Sequence, residues 1–547
     1  MTQAMGSPEQ KVICADKITK ARRDDRNRSC QNLASFESGN QDLSRIAAAK
    51  GSTHHASNPR ANILSPRPKP LHCSLIVLLL LPFLTGMQET EAPRLHEQQP
   101  AGTRPEAAPT KKTPPQTLER AAQWPHWRGP SATGVAPQAD PPITWSEKEN
   151  VRWKVELPGQ GHSTPVLWGE RLFLTAAVPV GEAFEPQLAQ SPGAHDNAPV
   201  SRRYAFRVLA VERHSGAIGW TRTVRTEIPW QGRHISGSFA SPSPITDGEV
   251  LVAPFGSQGI YGLNLQGEVL WEKSFGAMQI KHAHGEGGSP ALHEDTVVLV
   301  WDHDGPSFMV GLDRKTGAEL WKVERNQGTS WSTPIVIDVD GVPQVIVAGT
   351  DRLRGHDLAT GRELWQVGGL SANVVASPVA SGRRVFAGSS YEHQIFFGLE
   401  LRGPAETSAD AGFQVERLWS RVRGTPYVPS PLLYDDVLYF HNHYQGVLTR
   451  VAADDGAERP GPIRLPGIRN VYGSPVAAAD RVYVTDLNGT TVVLSHEDEP
   501  KVLARNRLDD RFSASAVLAG PDLYLRGAKY LYNLADLGTS EATQSPD

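Results

Sequence analysis

The sequence predicts an all-β chain: an eight-bladed β-propeller of four-stranded antiparallel blades, closed by an N-terminal strand that completes the last blade. Three observations carry this expectation. A Ser/Thr-Pro dipeptide recurs about every 44 residues. A Gly-x-x-x-Trp signature recurs between those dipeptides. Period-2 apolar alternation, broken by turn residues every 8–12 positions, fills the intervals. A repeat of ~40–50 residues holding four short strands is the size of one propeller blade.

Seven blades open on Thr164-Pro165, Ser243-Pro244, Ser289-Pro290, Thr333-Pro334, Ser377-Pro378, Ser430-Pro431 and Ser474-Pro475. Ser515-Ala516 is a degenerate eighth opening. Successive steps are 79, 46, 44, 44, 53, 44 and 41, and the 79 contains an inserted loop at 178–203. The second signature ends in Trp220, Trp271, Trp321 and Trp365, with Trp419 a looser copy. Its Gly supplies the positive φ of a tight hairpin turn, and its Trp is expected to pack between neighbouring blades. Strands such as Arg384-Val-Phe386 and Arg481-Val-Tyr-Val-Thr485 alternate as half-buried antiparallel strands do. The last repeat ends without its Trp strand. The missing strand stands at the other end, as residues 150–157 around the orphan Trp153. Joining the ends this way leaves no open sheet edge. Asp338-Val-Asp-Gly341 and Asn488-Gly489 read as hairpin turns rather than calcium loops.

The front of the chain is expected to lie outside this fold. Residues 1–70 are polar and aperiodic, and read as disordered or as a mis-assigned start, with the true start near residue 64. Arg67 and Lys69 precede the apolar run 74–84, so 71–92 reads as a signal peptide, against an uncleaved short membrane anchor. Residues 93–123 have linker composition, 124–536 the propeller, and 537–547 a disordered tail. All three cysteines, Cys14, Cys30 and Cys73, fall in the front segment, so the propeller has neither disulfide nor thiolate chemistry. A net charge of −4 offers no basic field for nucleic acid. No P-loop, dinucleotide fingerprint or Gly-x-Ser-x-Gly elbow is present.

Leu-Asp-Arg-Lys-Thr-Gly-Ala-Glu-Leu-Trp (312–321) and His-Asp-Leu-Ala-Thr-Gly-Arg-Glu-Leu-Trp (356–365) resemble the pyrroloquinoline-quinone (PQQ)-like propeller repeat. That repeat occurs in quinoprotein alcohol dehydrogenases and in the outer-membrane assembly factor BamB. Trp124-Pro-His-Trp-Arg-Gly-Pro130, Gly328-Thr-Ser-Trp-Ser-Thr-Pro334 and Asn506-Arg-Leu-Asp-Asp510 resemble a secreted bacterial branch of the superfamily. The dehydrogenase branch implies a quinone over the central channel, a Trp below it, a vicinal disulfide above it, and a Ca²⁺ held by Glu, Asn and Asp. A Cys-Cys pair is absent here, and no Ca²⁺ motif maps onto this sequence. The BamB-like branch implies a scaffold that binds other envelope proteins, although the BamB lipobox is also missing.

Loops leading into the innermost strand of each blade gather at one mouth of a propeller channel. Here those loops carry His162, His234, His282, His284, Glu286, Trp331, Tyr427 and Tyr472, the expected ligand-binding residues. His282 and His284, spaced i, i+2, would face one side of a strand, with Asp302 and Asp304 of the same blade as further ligands for Zn²⁺. His441 and His443 share that spacing. The leading expectation is therefore an exported, periplasmic or extracellular, monomeric scaffold. It would bind envelope proteins or a small ligand without catalysis, and touch the membrane only through its signal segment. A quinone- or metal-dependent oxidoreductase at the channel mouth, using PQQ with Ca²⁺ or Zn²⁺, is the alternative. A carbohydrate-binding propeller, stacking sugars on Trp331, Tyr427 and Tyr472, is the third reading.

Overall fold

A computed structural model describes residues 120–187, 191–404 and 412–538. The expected disordered start, signal peptide, most of the linker and nearly all of the tail lie outside the described residues. Eight four-stranded sheets follow one another as blades of a ring. Blade one holds Val166–Trp168, Arg171–Val180, Arg203–Glu212 and Ile218–Glu227. Blades two to seven begin at Ile245–Thr246, Ala291–His293, Ile335–Val339, Val379–Ser381, Leu432–Tyr434 and Val476–Ala478. Blade eight is built from Val517–Ala519, Asp522–Arg526 and Tyr530–Ala535, with Val151–Glu156 as its outermost strand. That strand pairs antiparallel with Tyr530–Ala535, so the two ends of the domain close the ring.

The recurring Trp locks each blade to the next. In the outer strand Glu319–Glu324 only Trp321 is buried. An irregularity in the pairing beside Trp321 turns the indole inward, as a bulge does. Its Nε1–H donates to the Leu358 carbonyl of the following blade at 2.8 Å. Trp153, Trp220, Trp271 and Trp419 donate in the same way to the carbonyls of Arg213, Leu265, Arg314 and Ala453. The turn glycine has two tasks. At Gly317 φ is +66°, and a Cβ would stand 2.6 Å from the Trp271 ring of the preceding blade. Trp365 departs from the pattern and donates to Gln344 Oε1 in its own blade at 2.7 Å. At Asp340 and Gly341 both φ values are positive, 53° and 84°, which is the hairpin turn that Asp-Gly announces.

Candidate functional site at the channel mouth

The Ser/Thr of each blade opening faces the central axis. The Thr164 N–H donates to Ser243 Oγ at 2.9 Å, and Ser243 N–H to Ser289 Oγ at 2.9 Å. The relay continues through Thr333, Ser377, Ser430 and Ser474 to Ser515. Ser515 N–H then returns to Thr164 Oγ1 at 3.2 Å, closing an eight-membered hydrogen-bonded ring. The degenerate eighth opening thus keeps the hydroxyl and loses only the proline. All eight residues are buried and all line one cavity of about 510 Å³.

Behind the ring the channel is closed by residues 124–145. Trp124 exchanges backbone hydrogen bonds with Leu167 of blade one, and the Pro125 carbonyl accepts from Thr246 of blade two. The segment then crosses to blade seven, where Gly134 and Ala136 bond to Ala477. Between these anchors Arg128 is buried below the ring. Its guanidinium donates to the carbonyls of Pro475, Pro431 and Thr133 at 2.7–3.0 Å. Burial without a carboxylate partner pulls its pKa down to about 9. Trp127 beside it forms part of the cavity wall. The mouth is therefore a pocket rather than a tunnel.

All eight sequence-predicted ligand-binding residues line this cavity: His162, His234, His282, His284, Glu286, Trp331, Tyr427 and Tyr472. His162 stays neutral, its pKa lowered to about 3 by burial and then by Arg526. Arg526 is itself buried and donates to the carbonyls of Ser163 and Thr175. The Glu286 carboxylate is turned onto Ser257, accepting from its N–H at 2.8 Å and from its hydroxyl. Burial raises its pKa to about 7. Trp331 is held by its Nε1–H, which donates to the Gly285 carbonyl at 2.7 Å.

Two arcs of rings result. On one side His195, His234, His282 and His284 cluster, with ring centres 4.8–5.4 Å apart in four pairings. On the other, Tyr444 stacks on Tyr472 at 4.9 Å, Tyr427 meets Tyr444 edge-on at 5.5 Å, and Tyr391 lies near-parallel to Tyr427 at 6.4 Å. Burial pushes the phenols of Tyr427 and Tyr444 upward, so both remain neutral hydrogen-bonding groups.

The expected set of His282, His284, Asp302 and Asp304 does not assemble. Asp302 is buried in an ion pair with Arg325, with Nε at 2.8 Å, and also accepts from Ser330. Asp304 accepts from Thr329, 2.8 Å from its hydroxyl. Among the described residues no group of three or more His, Cys, Asp or Glu side chains is placed to hold a metal ion. The strand expected at His282 is a 3-10 turn, Lys281–Ala283, with His282 at φ +56°. His441 and His443 also part. His441 is buried at the end of its strand and bonded to the Gln445 carbonyl, while His443 has left the strand with φ +57° and packs on Tyr427.

His195, Asp196, Tyr391, Tyr444 and Trp127 line the pocket without having been singled out in the sequence. His195 and Asp196 lie in the 178–203 insertion, whose return leg Asn197–Ala198 pairs with Arg233–His234. Nothing in the repeat pattern fixes where an insertion lands. Tyr391 and Tyr444 stand in the hairpin loops between the second and third strands of blades five and six, and the position of such loops at the mouth was the available signal.

The fold and this pocket define a class: a repeat propeller with a plugged channel and a chemically rich open mouth. The chain belongs to the PQQ-like repeat family whose model is described as outer membrane protein assembly factor BamB, which matches residues 141–301 and 205–460, together more than half of the chain. Among solved structures, BamB from Moraxella catarrhalis is similar at 15% identity, covering 66% of this chain and 100% of that one, with a TM-score of 0.44. Quinohemoprotein alcohol dehydrogenase from Comamonas testosteroni is similar at 10% identity, covering 78% and 82%, with a TM-score of 0.49. No curated protein matches the sequence.

PQQ with Ca²⁺ does not fit the mouth as a group. Trp127 at the pocket floor is compatible with a planar ring. The hard oxygen donors that Ca²⁺ needs are not gathered, because Glu286 is committed to Ser257 and the convergent donors are imidazoles. No cysteine follows Cys73 to supply a disulfide lid.

Proposed function

We propose that the protein is a non-catalytic binding propeller of the bacterial cell envelope whose channel mouth takes a small ligand with a flat face, such as a sugar ring. The observation that carries this is the pocket itself. It is ligand-sized at about 510 Å³, closed behind by Trp127 and Arg128, and walled by imidazoles and tyrosines from separate blades. Rigid blades presenting varied loops are how such a fold acquires binding without catalytic motifs. The envelope location follows the family's printed description as an outer membrane assembly factor.

The sparse carboxylates and the aromatic arc favour sugar over quinone. Glu286, whose pKa burial raises to about 7, has both oxygens occupied by Ser257, which speaks against a free general base. The test is a thermal-shift series with a panel of mono- and oligosaccharides, and with PQQ plus Ca²⁺. A binding sugar stabilises by about 2.7 kcal/mol at a hundredfold excess over Kd. That shift should vanish in Tyr427→Ala and Tyr472→Ala. A shift with PQQ plus Ca²⁺ alone would make the mouth a quinoprotein site. No shift with any of them, alongside an envelope partner captured equally by the Tyr variants, would move binding to the outside of the ring.

A further inference from the structure

The histidine arc has a geometry that the sequence did not foresee. We infer that His195, His282 and His284 form a three-imidazole site for one borderline transition-metal ion, Zn²⁺ or a chemical equivalent, with its open coordination position facing the pocket. The inference rests on reading the mouth as a binding site and gives that site its chemistry.

Three observations support it. First, the three rings are mutually spaced. Their centres lie 5.0, 4.8 and 5.4 Å apart. An ion bound at ~2.0–2.1 Å by an imidazole nitrogen stands ~3.2 Å from the ring centre, so tetrahedral ligation separates ring centres by ~5 Å. Second, each ring has one nitrogen directed at a backbone carbonyl of the insertion. His195 Nδ1 lies 2.8 Å from Gly193 O, His282 Nδ1 3.3 Å from Pro192 O, and His284 Nε2 3.3 Å from His195 O. A nitrogen that donates to a carbonyl leaves the other as the lone-pair donor, which is how metal-ligating histidines are oriented. The free donors are thus Nε2 of His195, Nε2 of His282 and Nδ1 of His284. Third, all three line the cavity, so the fourth position of a tetrahedral ion opens onto ligand space. His234 packs on His284 at 4.8 Å, but its Nδ1 accepts from the Ser236 N–H at 3.1 Å, which places its own hydrogen on Nε2. It supports the triad without belonging to it.

As the rings stand, no three of these side chains are placed to hold a metal ion, so the proposed site requires them to rotate inward when the ion binds. The insertion supplies both His195 and the three orienting carbonyls, which gives it a purpose beyond covering the mouth. Borderline imidazole nitrogen donors select Zn²⁺, Co²⁺ or Cu²⁺ and discriminate against Ca²⁺ and Mg²⁺.

The experiment titrates Co²⁺ into the full chain after chelator treatment and follows visible d–d absorption. The expected result is one Co²⁺ per chain, displaced by Zn²⁺ and not by Ca²⁺. His195→Ala and His284→Ala should each weaken binding at least tenfold, while His214→Ala leaves it unchanged, since His214 is an exposed residue paired with Glu170 outside the pocket. His195 sits on the inserted loop, so its variant tests the site without threatening the blades. Tyr427→Ala should bind Co²⁺ normally. Absence of binding, or binding untouched by His195→Ala and His284→Ala, overturns the site. If sugar binding lost in Tyr427→Ala persists in that case, the metal inference falls alone; if both fail, the reading of the mouth falls with it.

Discussion

Arg128 is a cation buried behind the channel mouth whose hydrogen-bond partners are carbonyl oxygens from three parts of the chain. Arg128→Met would leave the Pro431 and Pro475 carbonyls unpaired, at roughly 1–3 kcal/mol per orphaned group. Arg128→Lys should rescue little, because a single ammonium cannot reproduce the guanidinium fork. Chemical denaturation of the two variants separates packing from geometry. The axial ring makes a second residue-scale prediction. Ser430→Ala removes the acceptor of the Ser377 N–H and should cost ~1–3 kcal/mol. Ser430→Thr should be close to neutral, since Thr164 and Thr333 already serve the same ring. A neutral Ser430→Ala would mean that water replaces the hydroxyl. Buried histidines set the pH response. Burial lowers the pKa of His441 to about 4, against an unfolded value of 6.5. Below pH 6.5 the unfolded chain takes up a proton that the native chain refuses. Stability therefore falls as pH drops from 6.5 to about 4, and His441→Asn should flatten part of that slope in a melting-temperature series.

At the scale of the element, the blade lock is one indole, one carbonyl of the next blade and one glycine below the ring. Trp271→Ala or Trp321→Ala should cost ~3–5 kcal/mol by cavity creation. Gly317→Ala should be destabilising too, because its Cβ would enter the Trp271 ring. If Trp321→Ala melted with the wild type, the docking account of the motif would be wrong. These elements were legible in the sequence because each blade repeats them: the Ser/Thr-Pro openings, the Gly-x-x-x-Trp turns and the orphan Trp153 all fell where the periodicity put them. The role of the Ser/Thr was not legible, since a ring of hydroxyls exists only once eight blades are closed. The histidine arc was half legible. The chain order shows His282 and His284, but only the docking of Asn197–Ala198 on Arg233–His234 brings His195 to them. Asp302 reads as a ligand in the sequence because it shares a blade with His282 and His284. Its partner Arg325 lies 23 positions away, beyond the reach of any local pattern.

For the whole molecule, closure and the mouth are one structural problem. The chain before Gly159 does two jobs at a distance from each other. Residues 124–145 cross the rear of the channel from blade one to blade seven, and Val151–Glu156 completes blade eight. Trp153 then locks that blade to blade one through the Arg213 carbonyl, and Arg213 pairs with Asp522 at 3.3 Å across the same seam. A chain beginning at Gly159 would lose the floor of the pocket, the seam lock and the cover on the Tyr530–Ala535 strand. An uncovered strand edge invites pairing with another chain. The shortened protein is therefore expected to self-associate on size-exclusion chromatography and to melt earlier than the full chain. A peptide of residues 120–157 added in trans should restore both the monomer and the melting temperature, because every contact it makes is already present on the ring. A shortened chain that stays monomeric and melts unchanged would show that the eight blades close without their last strand, and that the pocket floor contributes nothing to holding the ring.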